Sequence, residues 1–161
     1  MYFFIDGYNL LFTCGEEGRS LQNQRDHLIQ WIRSEFGNMR LKGALVFDGS
    51  HRRDEESGLS YQNPLELVYT PKGQSADEYI IEQLERLKNC KSITVVTNDQ
   101  GLRKIAGALK ANVQSNRSFL TWLAKRSKRK KGKLPVIRET SQQIERLIKI
   151  FEERLKHDLE E

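Results

Sequence analysis

Four short apolar runs punctuate the first hundred residues: Tyr2–Ile5, Ala44–Phe47, Leu65–Tyr69 and Ile93–Val96. Each is too short for a helix and is bounded by polar or turn-forming residues, the signature of a buried strand. Between them the period changes to that of a helix. Leu21, Leu28, Ile29, Ile32 and Phe36 share one face, with Ser20 placed to cap the start and Gly37 to stop the end. Ile80, Ile81, Leu84 and Leu87 form a second stripe, opened by Ser75 and Glu78 at capping-box spacing. Leu102, Ile105, Ala106 and Leu109 form a third. Ala111–Gln114 reads as a short fifth strand, and Ser118 to about Lys131 as a helix with Phe119, Leu120, Trp122 and Leu123 inward. Residues 50–63 are polar and aperiodic and read as a loop.

Strands alternating with helices predict a parallel sheet covered on both faces, a three-layer α/β/α sandwich. Residues 140–159 predict a long C-terminal amphipathic helix. Thr140 and Gln143 have capping-box spacing, and Ile144, Leu147, Ile148, Phe151 and Leu155 form the stripe. Pro135 is the one hinge candidate, which divides the chain into a main domain over 1–135 and a helix over 136–161 packed on that same domain.

The length of 161 residues suits a single core. No apolar run approaches the ~20 residues of a membrane helix. The N-terminus lacks a basic region and meets Asp6 at once, so it does not read as a signal peptide, and a cytoplasmic protein is expected. Cys14 and Cys90 lie far apart with no metal-ligand spacing, which predicts free thiols. The net charge of +5 is local: residues 125–133, KRSKRKKGK, hold seven bases, and without them 20 bases face 22 acids. Such a run attracts phosphate backbones, so Lys125, Arg126, Lys128, Arg129, Lys130, Lys131 and Lys133 are candidate RNA contacts. The plain alternative is a solvated helix end.

Three predicted strands end in an aspartate: Asp6, Asp48 and Asp99. Asp77 lies in the first turn of the helix after the third strand. Ligands of open parallel sheets bind at the carboxyl ends of the strands, so all four project toward one edge. Crowded carboxylates repel unless a cation or proton intervenes. An oxygen-only donor set suits Mg²⁺ or Mn²⁺, and such ions hydrolyse phosphodiesters. Each acid also has a local explanation. Asp6-Gly7 and Asp48-Gly49 fit strand-to-loop turns, and Asp77 and Asp99 fit helix starts.

FIDGYNLL (Phe4–Leu11), FDG (Phe47–Gly49), GQSADEYI (Gly73–Ile80) and VVTND (Val95–Asp99) resemble the YacP-type NYN domains, a branch of the PIN-like nucleases. The resemblance runs from Met1 to about Lys125. It implies a PIN-like α/β/α sandwich and divalent-metal endoribonuclease activity; RNA is the expected substrate, with ribosome-associated mRNA one candidate and a ribosome one candidate partner that presents it. By position it makes Asp6, Asp77 and Asp99 the catalytic, metal-binding acids, with Asp48 as an optional further ligand. Asn9 would orient Asp6 or touch substrate, and Thr97 would hydrogen-bond a ligand or water beside Asp99. Glu78 would stand near substrate if it is not simply a capping partner. PIN-like nucleases often carry another acid just after TND; here Gln100 and Gly101 follow, which leaves room for a one-metal site.

Two rival classes compete with this. A haloacid-dehalogenase-like phosphatase needs a second Asp two residues after the first, where this chain has Tyr8. Neither a Gly-x-Gly-x-x-Gly fingerprint nor a P-loop lysine motif is present. The other rival is a degenerate PIN-like module that binds RNA or a ribosome without cutting.

Overall fold

The computed structural model describes residues 1–14, 18–49, 59–62, 64–131, 146 and 148–150, with the side chains of 59–62 and 128–131 outside that description. The strands are β1 (Tyr2–Asp6), β2 (Lys42–Phe47), β3 (Leu59–Gln62), β4 (Leu65–Tyr69), β5 (Ile93–Val96) and β6 (Asn112–Gln114). The helices are α1 (Gly7–Cys14), α2 (Leu21–Met39), α3 (Ala76–Arg86), α4 (Gln100–Ala108) and α5 (Asn116–Lys131).

The strands lie in the order β3-β4-β2-β1-β5-β6. All neighbours are parallel except β3, which pairs antiparallel with β4 at one edge. The sheet is therefore the expected parallel one with an antiparallel edge strand added. Part of the segment read as a loop, Leu59–Gln62, is that strand.

Strand side chains alternate between two cores, as the pleat requires. Phe3, Ile5, Leu45 and Phe47 pack with α1, α2 and α5. Phe4, Ala44, Val46 and Val95 pack with α3 and α4. Both faces of the central strands are covered, which explains their unbroken apolar runs.

Ser20 caps α2 and Ser75 caps α3, each accepting a backbone N–H three residues on. Gly37 does not end α2. The helix continues to Met39, and Arg40 takes the left-handed conformation (φ 53°) at the position glycine usually fills. Arg40 N–H donates to Gly37 O and Leu41 N–H to Phe36 O, closing the turn. The extra turn buries Met39 and Leu41. Helix α5 begins at Asn116, earlier than Ser118, because Ser115 Oγ accepts the Ser118 N–H at 3.2 Å.

The two Asp-Gly pairs mark close approaches. A Cβ on Gly7 would meet the Phe47 ring at 2.6 Å, and one on Gly49 would meet Thr70 O at 1.8 Å. No helix of the described residues is long and apolar enough to cross a membrane. Toward the C-terminus, residues 146 and 148–150 are helical and Ile148 packs against the α2–α5 core. Lys133, Pro135, Thr140, Gln143, Ile144, Leu147, Phe151 and Leu155 lie outside the described residues.

Candidate active site

Asp6 is the last residue of β1 and the residue before α1. Phe4 faces the α3–α4 core, so by alternation Asp6 points to that same side, beyond the strand's apolar part. The Asn9 backbone N–H donates to its carboxylate, so Asp6 also caps α1. Asp99 does the same for α4, its Oδ1 accepting the Leu102 N–H at 2.8 Å. Asp77 is the second residue of α3. Three helix N-termini thus converge on one edge of the sheet, each with an acid in or beside its first turn. Their partial positive charge offsets part of the repulsion among those acids.

Offset is incomplete at the centre. Asp6 is only 7% exposed. Burial and the Asp77 carboxylate, which also hydrogen-bonds to it, push Asp6 up to about 7. The hydroxyl of Thr97 and the N–H of Asn9 oppose this by stabilising the anion. Asp77 is raised as well, by burial and by the charges of Asp99 and Glu78, while its bond to Asp6 works the other way. Asp6 and Asp77 therefore hold a proton between them at acidic pH. Asp99 acts on Asp77 through space rather than by contact.

Thr97 is fully buried. Its Oγ1 donates to Asp6 Oδ2 at 3.3 Å and accepts the Asp99 N–H at 3.1 Å, tying the two strand-end acids together. Asn9 Oδ1 accepts the Asn98 N–H at 2.9 Å and Asn116 Nδ2 at 2.8 Å. A backbone N–H can only donate, so the oxygen of the Asn9 amide is fixed on that side. No described residue accepts from Asn9 Nδ2.

Asp48 follows β2 two residues past Val46, the partner of Asp6 in the sheet; the carboxylates acting on the Asp6–Asp77 pair are Asp99 and Glu78. Glu78 is exposed, and its backbone N–H serves the Ser75 cap. Among the described residues no three His, Cys, Asp or Glu groups converge tightly enough to hold a metal ion as they stand. That differs from the expectation of three carboxylates around one cation. Asp6 and Asp77 share a hydrogen bond, while Asp99 caps α4 and acts on Asp77 by its charge. The oxygen-only donors and the raised, proton-sharing pair still fit a hard divalent cation, which would take the place of that proton.

Lys125 and Arg126, the bases of the run whose side chains are described, lie along α5 away from the acids. Helix α5 starts at the site with Asn116 and runs back along the sheet, where Phe119 and Trp122 pack on Phe3 near the start of β1. At ~1.5 Å per residue, Lys125 lies roughly 14 Å and Lys131 roughly 22 Å along the helix from Asn116. Lys125 and Arg126 are exposed, and Arg126 lies over the Trp122 ring at 5.3 Å.

Sequence reasoning missed Asn98 and Asn116. Asn116 lies two residues past the end of β6, much as Asp48 and Asp99 follow β2 and β5, so the rule that found the acids would have found it had amides been included.

A family model described as the YacP-like NYN domain matches residues 3–161. Two of the similar solved structures are crystal structures of one protein. One is Rae1 (YacP) from Bacillus subtilis, 24% identical, covering 98% of this chain and 91% of that chain, with a TM-score of 0.62. The other is a mutant of the same protein, 21% identical, covering 91% and 92%, also with a TM-score of 0.62. No curated protein sequence matches. At such identities the structural likeness speaks for the fold.

Proposed function

This chain belongs to the YacP-like NYN domain family, an RNA-related nuclease family, and on that premise we propose that it is a divalent-metal-dependent endoribonuclease. The observation that carries the reading is the hydrogen bond between buried Asp6 and half-buried Asp77 where three helices begin. A pair kept for stability alone would more simply be neutral. Asp6 and Asp77 would hold the metal with help from Asp99, and Mg²⁺ or Mn²⁺ there would supply positive charge and an acidified water for phosphodiester hydrolysis. Thr97 holds Asp6 in place. Asn9 presents an amide donor toward a non-bridging phosphate oxygen. The basic run engages the RNA at a distance, ribosome-associated mRNA being one such substrate.

A second reading has one observation in its favour. The absence of a tight three-ligand group among the described residues suits a module that binds RNA or a ribosome without cutting it.

Incubating the protein with RNA in Mn²⁺, in Mg²⁺ and in EDTA, beside Asp6→Asn, separates the two. The nuclease reading expects internal cleavage that requires metal and is lost in Asp6→Asn. RNA retained but uncut under every condition would leave the binding module.

A further inference from the structure

Asn116 is fully buried, yet it belongs to the first turn of a helix that otherwise packs on the opposite face of the sheet from Asp77. Its side chain reaches three acceptors in α1. Nδ2 lies 2.8 Å from Asn9 Oδ1, 2.8 Å from Thr13 Oγ1 and 3.2 Å from Asn9 O. Its backbone N–H donates to Asn98 Oδ1 at 2.9 Å, while the Asn98 N–H donates to Asn9 Oδ1. Asn116 thereby ties together α1, the 97–99 segment and the start of α5.

The amide's orientation follows from its neighbours. Asn9 Oδ1 already faces a backbone donor, and the Thr13 hydroxyl spends its own proton on Asn9 O at 3.0 Å. Both must accept from Asn116, so Nδ2 faces them. Asn116 Oδ1 is left buried with no hydrogen-bond partner among the described residues. An unmet buried acceptor carries a cost. A residue with that orphan oxygen is held here for what its donor does.

We infer that Asn116 is a positioning residue of the nuclease site: its Nδ2 group locks the Asn9 amide so that Asn9 Nδ2 is offered to the substrate. This role rests on the nuclease function proposed for the chain. Asn116 touches neither metal nor RNA and acts through Asn9. Asn116→Asp keeps the shape, removes the donor and sets an oxygen against Asn9 Oδ1. Asn9 Oδ1 would keep the Asn98 N–H but lose the Asn116 donor and face an oxygen instead, so the Asn9 amide would no longer be held fast and its Nδ2 would lose its fixed place before the substrate.

The test is a double-mutant cycle of Asn116→Asp and Asn9→Ala, measured on RNA cleavage. A misplaced positioning group costs up to about 10²-fold. Each single variant is expected to lower kcat about 10- to 100-fold, with KM changed less than about threefold. The double variant is expected to fall within about threefold of the weaker single, because both remove the same donor. Losses that multiply, or a wild-type kcat in Asn116→Asp, would overturn the inference.

Asn116→Ala repeats the cycle if the aspartate variant does not fold. Proton exchange without RNA or metal gives an independent reading. The Asn116 side-chain amide should exchange slowly and the Asn9 side-chain amide fast. The Asn98 backbone amide should lose protection in the Asn116 variant. Equal exchange at the two side chains would reject the lock. If the wild type fails to cleave RNA, the nuclease reading falls, while these exchange measurements still decide whether Asn116 fixes Asn9.

Discussion

Asp6 and Asp77 share a hydrogen bond across two elements, the last residue of β1 and the second residue of α3. Nothing local requires this. Each acid already has an ordinary role at a helix start, and a helix start is satisfied equally well by a neutral serine, as at Ser20 and Ser75. Pressing a half-buried acid against a buried one costs stability whenever both are charged, and that cost is measurable.

The first prediction concerns stability against pH without metal. Asp6 titrates near 7 when folded but near its ordinary value of 3.8 when unfolded. Between those values the folded state holds a proton that the unfolded state has lost. Its stabilising effect is full below about pH 4 and disappears as pH rises through about 7. Metal-free protein should lose on the order of a few kcal/mol over that window relative to Asp6→Asn, which has no such group. Urea melts of both proteins in EDTA at pH 5 and pH 8 measure the difference. A wild type that gains on the variant as pH rises would contradict the shared proton.

Metal uptake provides the second. A cation held by Asp6 and Asp77 would take the place of that proton. Mn²⁺ binding should release about one proton below pH 7 and almost none at pH 8, with affinity rising over the same interval. Calorimetry in buffers of different ionisation heat reads the proton directly. Binding with no proton release at pH 6 would place the ion elsewhere.

Asp99 separates capping from chemistry in the third. Asparagine caps a helix as well as aspartate, so Asp99→Asn should keep the bond to Leu102 N–H and the melting temperature. It removes the charge beside Asp77 and should lower activity about 10- to 100-fold. Asp99→Ala should lose the same activity and about 1 kcal/mol of stability as well. Full activity in Asp99→Asn would make Asp99 a cap and nothing more.

How far such a site is legible depends on the range of the interactions. The central strands and α2–α5 are visible in the sequence because each has its own apolar period, and the Ser20 and Ser75 caps lie within three residues of their partners. Helix α1 is not visible. Tyr8, Leu10, Leu11 and Cys14 are all buried, so no polar face alternates with an apolar one, and its cap is Asp6, which reads as a metal candidate. Strand β3 exists through its pairing with β4, a tertiary preference that four residues cannot announce. The acids could be gathered at one edge by the strand-end rule. That Asp6 and Asp77 touch while Asp99 stands back depends on side-chain distances across four elements. The Asn9–Asn116 bond joins residues 107 apart in sequence.

The last prediction concerns the basic run. Six of the seven bases at 125–133, Lys125, Arg126, Lys128, Arg129, Lys130 and Lys131, lie in the second half of α5, roughly 14–22 Å along that helix from Asn116. At that distance they cannot stabilise charge at the reacting phosphate, because ~0.15 M salt screens exposed charges beyond about 8 Å. They can hold flanking phosphates of a longer RNA. Replacing Lys125, Arg126, Lys128 and Arg129 with glutamine should therefore weaken binding of a long single strand. The slope of log K against log salt should fall by about 0.7 for each phosphate that is no longer neutralised. Cleavage of a dinucleotide, too short to span the gap, should keep its wild-type rate. Titrations of both RNAs at several salt concentrations test the two halves together. An unchanged salt slope on the long RNA would make the run a solvated helix end. A slower rate on the dinucleotide would bring the run to the site and overturn its placement at the far end of α5.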